Sequence, residues 1–168
     1  MAQQLPAWLT KALVYLRPLR PATAPVAAGD VRICESSARR CFVLVLRAEE
    51  QEALAQITLL GSDTALATDR CPVLPISLTG LPFPVVVTNL LGPVFRHQLL
   101  ERYASLPVEL FETVARAALG DRAGCYPGLR WGLPIAGRND PRWAAYEGLL
   151  VKELQPLCAK AVMAMLGD

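Results

Sequence analysis

The stretch from Cys71 to Gly92, CPVLPISLTGLPFPVVVTNLLG, constrains the fold more than any other part of the chain. Its two apolar runs, Pro72 to Leu78 and Pro84 to Leu90, are separated by Thr79-Gly80-Leu81-Pro82, whose glycine and proline suit a turn. The pattern predicts strand, turn, strand. Val85-Val86-Val87 does not alternate with polar residues, so this strand must be covered on both faces. A chain of 168 residues that is 53% hydrophobic has enough apolar material to do so within one domain plus appendages.

Further strands are expected at Val31 to Cys34, at Cys41 to Arg47 (CFVLVLR) and at Ala53 to Leu60, where EEQEALAQ reads equally well as a short helix. With the hairpin that makes about five. Gly61 to Arg70 reads as a long loop. Gln98 to Ala104 fits a short helical turn. Ser105 then fits an N-cap, with Pro107 in the first turn, Glu109 near the positive end of the helix dipole, and an apolar stripe of Leu110, Phe111, Val114, Ala118 and Leu119 stopping at Gly120. Asp121 to Arg138, with its glycines and prolines around Tyr126 and Trp131, reads as an irregular loop. Asp140-Pro141 opens a last helix that runs to about Leu166 with a kink at Pro156. At the other end, Leu5, Trp8, Leu9, Ala12, Leu13 and Leu16 recur at helical spacing, giving an amphipathic helix over Leu5 to Arg17. Prolines 18, 21 and 25 end it, PATAPVAAG reads as a stiff linker, and the main domain starts near Gly29.

The formal charge of +2 does not by itself call for a nucleic-acid partner, although the basic side is almost all arginine, with Lys11, Lys152 and Lys160 the only lysines. Five scattered cysteines without a C-x-x-C argue against a disulfide framework or a zinc site and fit a reducing cytoplasm. Leu5 to Leu16 falls far short of the roughly 18 apolar residues of a membrane span, so no membrane segment is expected. His97 is the only histidine, and no G-x-S-x-G, H-E-x-x-H, P-loop or G-x-G-x-x-G accompanies it. Histidine-centred hydrolase chemistry is therefore not expected. Glu49, Glu50 and Glu52 read as a solvated turn, so neither a metal nor a cofactor is expected.

Several short motifs remain. Gly29-Asp30-Val31 opens the first strand, Arg39-Arg40 precedes Phe42-Val43-Leu44-Val45-Leu46, and Ile57-Thr58 ends the next strand. Thr79-Gly80-Leu81-Pro82 leads into Val85-Val86-Val87, and Leu100 to Gly120 carries an L-x-x-x-x-x-L-P-x-E rhythm. In this order, over about residues 29–120, they resemble the MazF/PemK family of toxin endoribonucleases. The resemblance implies a mainly β protein with helices (α+β): a small, curved, SH3-like barrel at 29–120 plus C-terminal helices, preceded by a helix and linker at 1–28 and followed by an extension at 121–168. It also implies a homodimer that cleaves single-stranded RNA and is neutralised by an antitoxin protein. Carried over, the catalytic residues are Arg40 and Thr58, with Arg39, Ser62 and Arg70 as RNA-binding candidates in the flanking loops. Cleavage by a neighbouring 2′-hydroxyl needs positive charge on a crowded phosphate, which a fixed arginine fork supplies without metal or histidine. A catalytically silent barrel of the same ancestry, acting as a protein- or nucleic-acid-binding module, is the alternative.

Overall fold

The computed structural model of the protein describes residues 24–37, 39–75, 85–121 and 126–167. The Leu5 to Arg17 segment, most of the linker after it and the Thr79 to Pro82 turn lie outside the described residues. Strands β1 (Asp30–Glu35), β2 (Arg40–Ala48), β3 (Leu54–Gly61), β4 (Pro72–Val73), β5 (Val85–Phe95), β6 (Leu99–Ser105) and β7 (Arg130–Trp131) form one sheet in the order β6-β1-β2-β3-β5-β4-β7. Every pairing in the ladder is antiparallel. The predicted hairpin is present as Val73 opposite Val85, and β5 continues past the expected Leu90 to Phe95. Residues 54–61, ambiguous in sequence, are strand. Register shifts between β1 and β6, β2 and β3, and β3 and β5 interrupt the ladder; such bulges bend a strand and sharpen its twist.

The unalternated run of β2 is explained by cover on both faces. Phe42 and Leu44 join Val31, Ile33, Leu60 and Val86 beneath Leu106, Leu110 and Val114, the last two on helix α1 (Val108–Ala118). Val43 and Val45 face the other way with Ile57, Leu59, Leu90 and Val94, under Tyr146, Leu154 and Leu157. Those three come from a C-terminal helical run made of α2 (Arg142–Leu149), a wide π turn (Leu150–Leu154) and α3 (Gln155–Leu166). Proline 156 has no N–H to give to the turn before it, and the five-residue hydrogen bond from the Gln155 N–H to the Leu150 carbonyl absorbs the misfit where a kink is expected. Helix α3 lies close on β5 because position 92 is glycine: a Cβ there would stand 2.4 Å from Cys158 Sγ.

Two expectations are corrected. The short helical turn at Gln98 to Ala104 is instead a 3-10 turn, Arg96–Gln98, followed by strand β6. Pairing decides it, since β1 has an outer edge to satisfy and takes Ser105, Ala104, Arg102 and Leu99 opposite Asp30, Val31, Arg32 and Cys34. Ser105 does not cap α1. It ends β6 and donates its hydroxyl to Asp30 Oδ1 at 2.8 Å, while Pro107 stands at the N-cap. Gly120, with φ +85°, takes the left-handed position after the helix, and Leu119 is 86% exposed rather than part of the buried stripe. Asp140 does serve the start of α2, accepting from the Arg142 N–H at 3.0 Å.

Arg32, unnoticed in the sequence, is a fully buried arginine paired with a fully buried Asp30. Its Nε and Nη2 donate to Asp30 Oδ2 at 3.0 and 2.8 Å, Nη1 donates to the Leu100 carbonyl at 3.0 Å, and Nη2 also reaches the Ala24 and Pro25 carbonyls at 3.1 and 2.7 Å. One guanidinium thus ties the incoming chain and β6 to β1. Among the described residues no helix is long and apolar enough to cross a membrane.

Two measurements follow. Arg32→Met leaves the buried Asp30 carboxylate with only the more distant, half-exposed Arg102 at 3.8 Å, and urea unfolding should show a loss of ~3–5 kcal/mol. The Asp140 carboxyl is held well below the usual carboxylate range, first by the Arg142 side chain and then by the Ala136 and Arg142 N–H groups. Its native-state pKa is depressed, so its contribution is complete above the unfolded value of about 4 and is lost as pH falls through the lower native one. Asp140→Asn should therefore flatten the acid limb of a stability-against-pH curve below about pH 4.

Candidate nucleic-acid interface

Two exposed arginines, Arg39 and Arg40, stand side by side at the turn end of the β1–β2 hairpin. The turn between the strands is closed by Ser36, whose N–H donates to the Arg39 carbonyl at 2.7 Å and whose Oγ accepts from the Arg39 N–H at 3.1 Å. Arg39 is exposed. Arg40, the first residue of β2, stands opposite Glu35 in the ladder, and its Nε donates to Glu35 Oε1 at 3.1 Å with Nη2 closing the same pair. The pair keeps 45% and 39% of its side-chain surface in solvent, so the fork is oriented without being buried. At this exposure the ion pair adds little stability. It fixes a direction.

Glu35, Ser36 and Ser37 also form one wall of a groove of ≈ 580 Å³. His97 and Gln98 form a second wall, and Pro156, Ala159 and Lys160 of α3 a third. Gln98 is buried and holds the walls together: its Nε2 donates to the Glu35 carbonyl at 3.3 Å and to the Leu157 carbonyl at 3.1 Å, while its Oε1 accepts from the Phe95 N–H at 2.9 Å. The exposed His97 ring stacks on Phe95 with centroids 5.4 Å apart. Sequence reading set His97 aside as a lone histidine and gave no role to Gln98 or Lys160. Nothing local marks them, because a 3-10 turn and a helix some sixty residues later in the chain bring them to the hairpin.

On the other side of β2 lies a smaller pocket of ≈ 220 Å³, lined by Cys41, Leu59, Leu66, Tyr146 and Leu149, with Ser62, Asp63 and Glu153 at its polar edges. Continuing the register from Val43 opposite Leu59 carries Ser62 across from Arg40. Two carboxylates make this pocket a poor seat for phosphate, whereas the groove sets His97 and Lys160 against Glu35 alone, and Glu35 already faces Arg40.

The sequence-predicted residues divide three ways. Arg39 and Arg40 are neighbours at the turn end of the hairpin, and Ser62 lies just past β3 at the edge of the pocket that Cys41 lines. Arg70 is exposed in a separate hollow of ≈ 110 Å³ with Ala117, Gly120 and Trp131, at the C-terminal end of α1. Thr58 has no exposed surface and pairs with Leu44, four residues along β2 from Arg40, or about 13 Å at strand rise. Alternation gives Arg40 and Thr58 the same sheet face, but α1 covers that face where Thr58 lies. Only Arg40 reaches solvent.

Behind the hairpin, Cys34 and Cys41 are register partners across β1 and β2, and Cys158 of α3 lies near enough to bear on both. Burial pushes the Cys34 thiol up to about 12 and the Cys158 thiol up to about 11; Cys41 is raised still further, by burial first and then by its neighbours Cys34 and Glu153. All three are free thiols. Among the described residues no group of three His, Cys, Asp or Glu side chains could hold a metal ion.

No protein-family model matches the chain, and no curated protein matches it. Solved structures do. An endoribonuclease in complex with its cognate antitoxin from a mycobacterial species is 16% identical, with a TM-score of 0.45 over 62% of this chain and 99% of that one. A MazE–MazF structure from Deinococcus radiodurans is 22% identical, with a TM-score of 0.48 over 58% of this chain and 93% of that one. Both are similarities in the trace of the chain.

The thiol chemistry is directly checkable. With thiolates suppressed, Cys34, Cys41 and Cys158 should stay unmodified by iodoacetamide at pH 8 in the native protein and react readily in denaturant, as read by peptide mass mapping.

Proposed function

We propose that the protein binds single-stranded RNA along the turn end of the β1–β2 hairpin and cleaves it as a toxin-like endoribonuclease, with Arg40 on the scissile phosphate. The observation that carries this reading is the exposed Arg40 fork, oriented by Glu35, a residue that also lines the groove whose other walls bear His97 and Lys160. In the reaction the 2′-hydroxyl gives its proton to water as its oxygen attacks the adjacent phosphorus, the bond to the 5′-oxygen breaks, that oxygen leaves as a hydroxyl by taking a proton from water, and a 2′,3′-cyclic phosphate is left. Negative charge builds on the phosphoryl oxygens as that happens, and a fixed guanidinium offsets it. Arg39 and Ser62, at the same end, serve to hold the strand, and the His97 ring offers a face on which an unstacked base can rest. An antitoxin protein as the natural inhibitor belongs to the same proposal, as the sequence resemblance implies.

A specific observation favours the second reading, a silent binding module. Thr58 is enclosed, and Glu35 already takes part of the charge of Arg40. RNA would then be held but not cut.

Purified protein incubated with a mixed single-stranded RNA, without added metal, separates the two. Wild type should cut, and Arg40→Ala should cut roughly a hundredfold to a thousandfold more slowly with an unchanged melting curve, the usual cost of one preorganised donor. Binding without cutting would establish the module; neither binding nor cutting would end both readings.

A further inference from the structure

The interior of the ≈ 220 Å³ pocket beside Cys41 has no part in holding RNA. Its walls are apolar: Leu59 near the end of β3, Leu66 of the 3-10 turn Thr64–Leu66, and Tyr146 and Leu149 of α2. Tyr146 offers ring surface only, because its hydroxyl already donates to the Leu66 carbonyl at 2.9 Å. The same bond ties the 3-10 turn to α2, so two sides of the pocket are held together before anything binds. A dry apolar cavity of about 150 Å³ is enough for one benzene ring, so this one has room for a ring and a short chain.

The polar edge has one sign. Asp63 and Glu153 stand there, and among the described residues no arginine or lysine lines the pocket. Asp63 is exposed, and its Oδ1 accepts from the Ala65 N–H at 2.9 Å, which orients the carboxylate and leaves Oδ2 for a ligand. Glu153 is half-buried and has no ion pair among the described residues. It belongs to the π turn, a feature that recurs at binding sites, and at i+4 from Leu149 and i+7 from Tyr146 it shares their face of the helical run. Its charge is felt at Cys41, whose thiol it helps to raise. A well-formed apolar hollow with a few convergent polar groups is the usual shape of a small-molecule site.

We infer that this pocket binds a small organic cation, with an apolar ring and chain against Leu59, Leu66, Tyr146 and Leu149 and an ammonium head at the edge supplied by Asp63 and Glu153. Both carboxylates keep contact with water, so the head meets them without the full desolvation that a buried ion pair demands. The site is separate from the His97–Lys160 groove and does not depend on the RNA proposal.

Three probes of one shape and different charge test it on the full chain: 2-phenylethylammonium, 2-phenylethanol and 3-phenylpropanoate. In amide-detected NMR titrations the cation should shift residues 59–66 and 146–153 and leave His97 and Gln98 in place. The alcohol should bind at least ~tenfold more weakly and the carboxylate not at all, since a hydrogen bond to a charged group is commonly worth a factor of roughly ten or more. Glu153→Gln and Asp63→Asn should each weaken the cation by ~tenfold with unchanged melting curves, asparagine keeping the cap on the 3-10 turn. Equal affinity for cation and alcohol, or unchanged affinity in both variants, would overturn the inference. So would an acetylated and amidated Phe-Lys dipeptide that shifts these residues when the free amine does not, which would give the pocket to a basic side chain of a protein partner.

Discussion

The buried Asp30–Arg32 pair is the constraint on which the arrangement of this protein depends. A cation and an anion without solvent are tolerated only if every remaining donor and acceptor finds a partner, and here the partners come from two separate stretches. The Leu100 carbonyl belongs to β6, the Ala24 and Pro25 carbonyls to the incoming chain, and Ala27 N–H and Ser105 Oγ complete the carboxylate. Satisfying one guanidinium therefore fixes the edge strand on β1 and pins the segment that leads into it. The sheet edge and the chain entry are one problem with one solution.

That solution sets the candidate interface. Pinning β6 against β1 places the 3-10 turn before it next to the end of the β1–β2 hairpin, and Gln98 then bonds across to Glu35 and to α3. The groove is the space those three elements leave. Its charged lining sets Lys160 against Glu35, with Arg40 paired to Glu35 beside it, and Asp63 and Glu153 turned to the pocket on the other side of β2. Arg40 is exposed enough to meet a ligand and restrained enough to meet it in one orientation, a combination suited to phosphate.

Much of the sheet was legible because an apolar run such as FVLVL has no helical period and demands two covering layers, which α1 and the C-terminal helices provide. The strand at 99–105 was not legible: LLERYAS shows no alternation, and only the need of β1 for a partner makes it extended. Arg32 was invisible for a similar reason, since one charge in a short strand reads as surface until its partners are known. Of the site, Arg39, Arg40 and Ser62 rest on the family resemblance, and the structure puts Arg39 and Arg40 at the exposed turn of β1–β2 and Ser62 at the edge of the pocket beside Cys41. His97, Gln98 and Lys160 were not legible, because long-range packing delivers them. Thr58 rests on the resemblance alone; its place opposite Leu44 gives it a buried position that its type does not announce.

The central claim is that the hairpin end meets a phosphate backbone through Arg40, and the salt dependence of RNA binding tests it most directly. Each phosphate neutralised on a single strand contributes a slope of about −0.7 to log K against log salt. Anisotropy titrations of a labelled single-stranded RNA, cleavage being excluded by 2′-deoxy substitution, should give a negative slope for the wild type and one shallower by about 0.7 for Arg40→Ala. The same affinity and the same slope in both proteins would contradict the account.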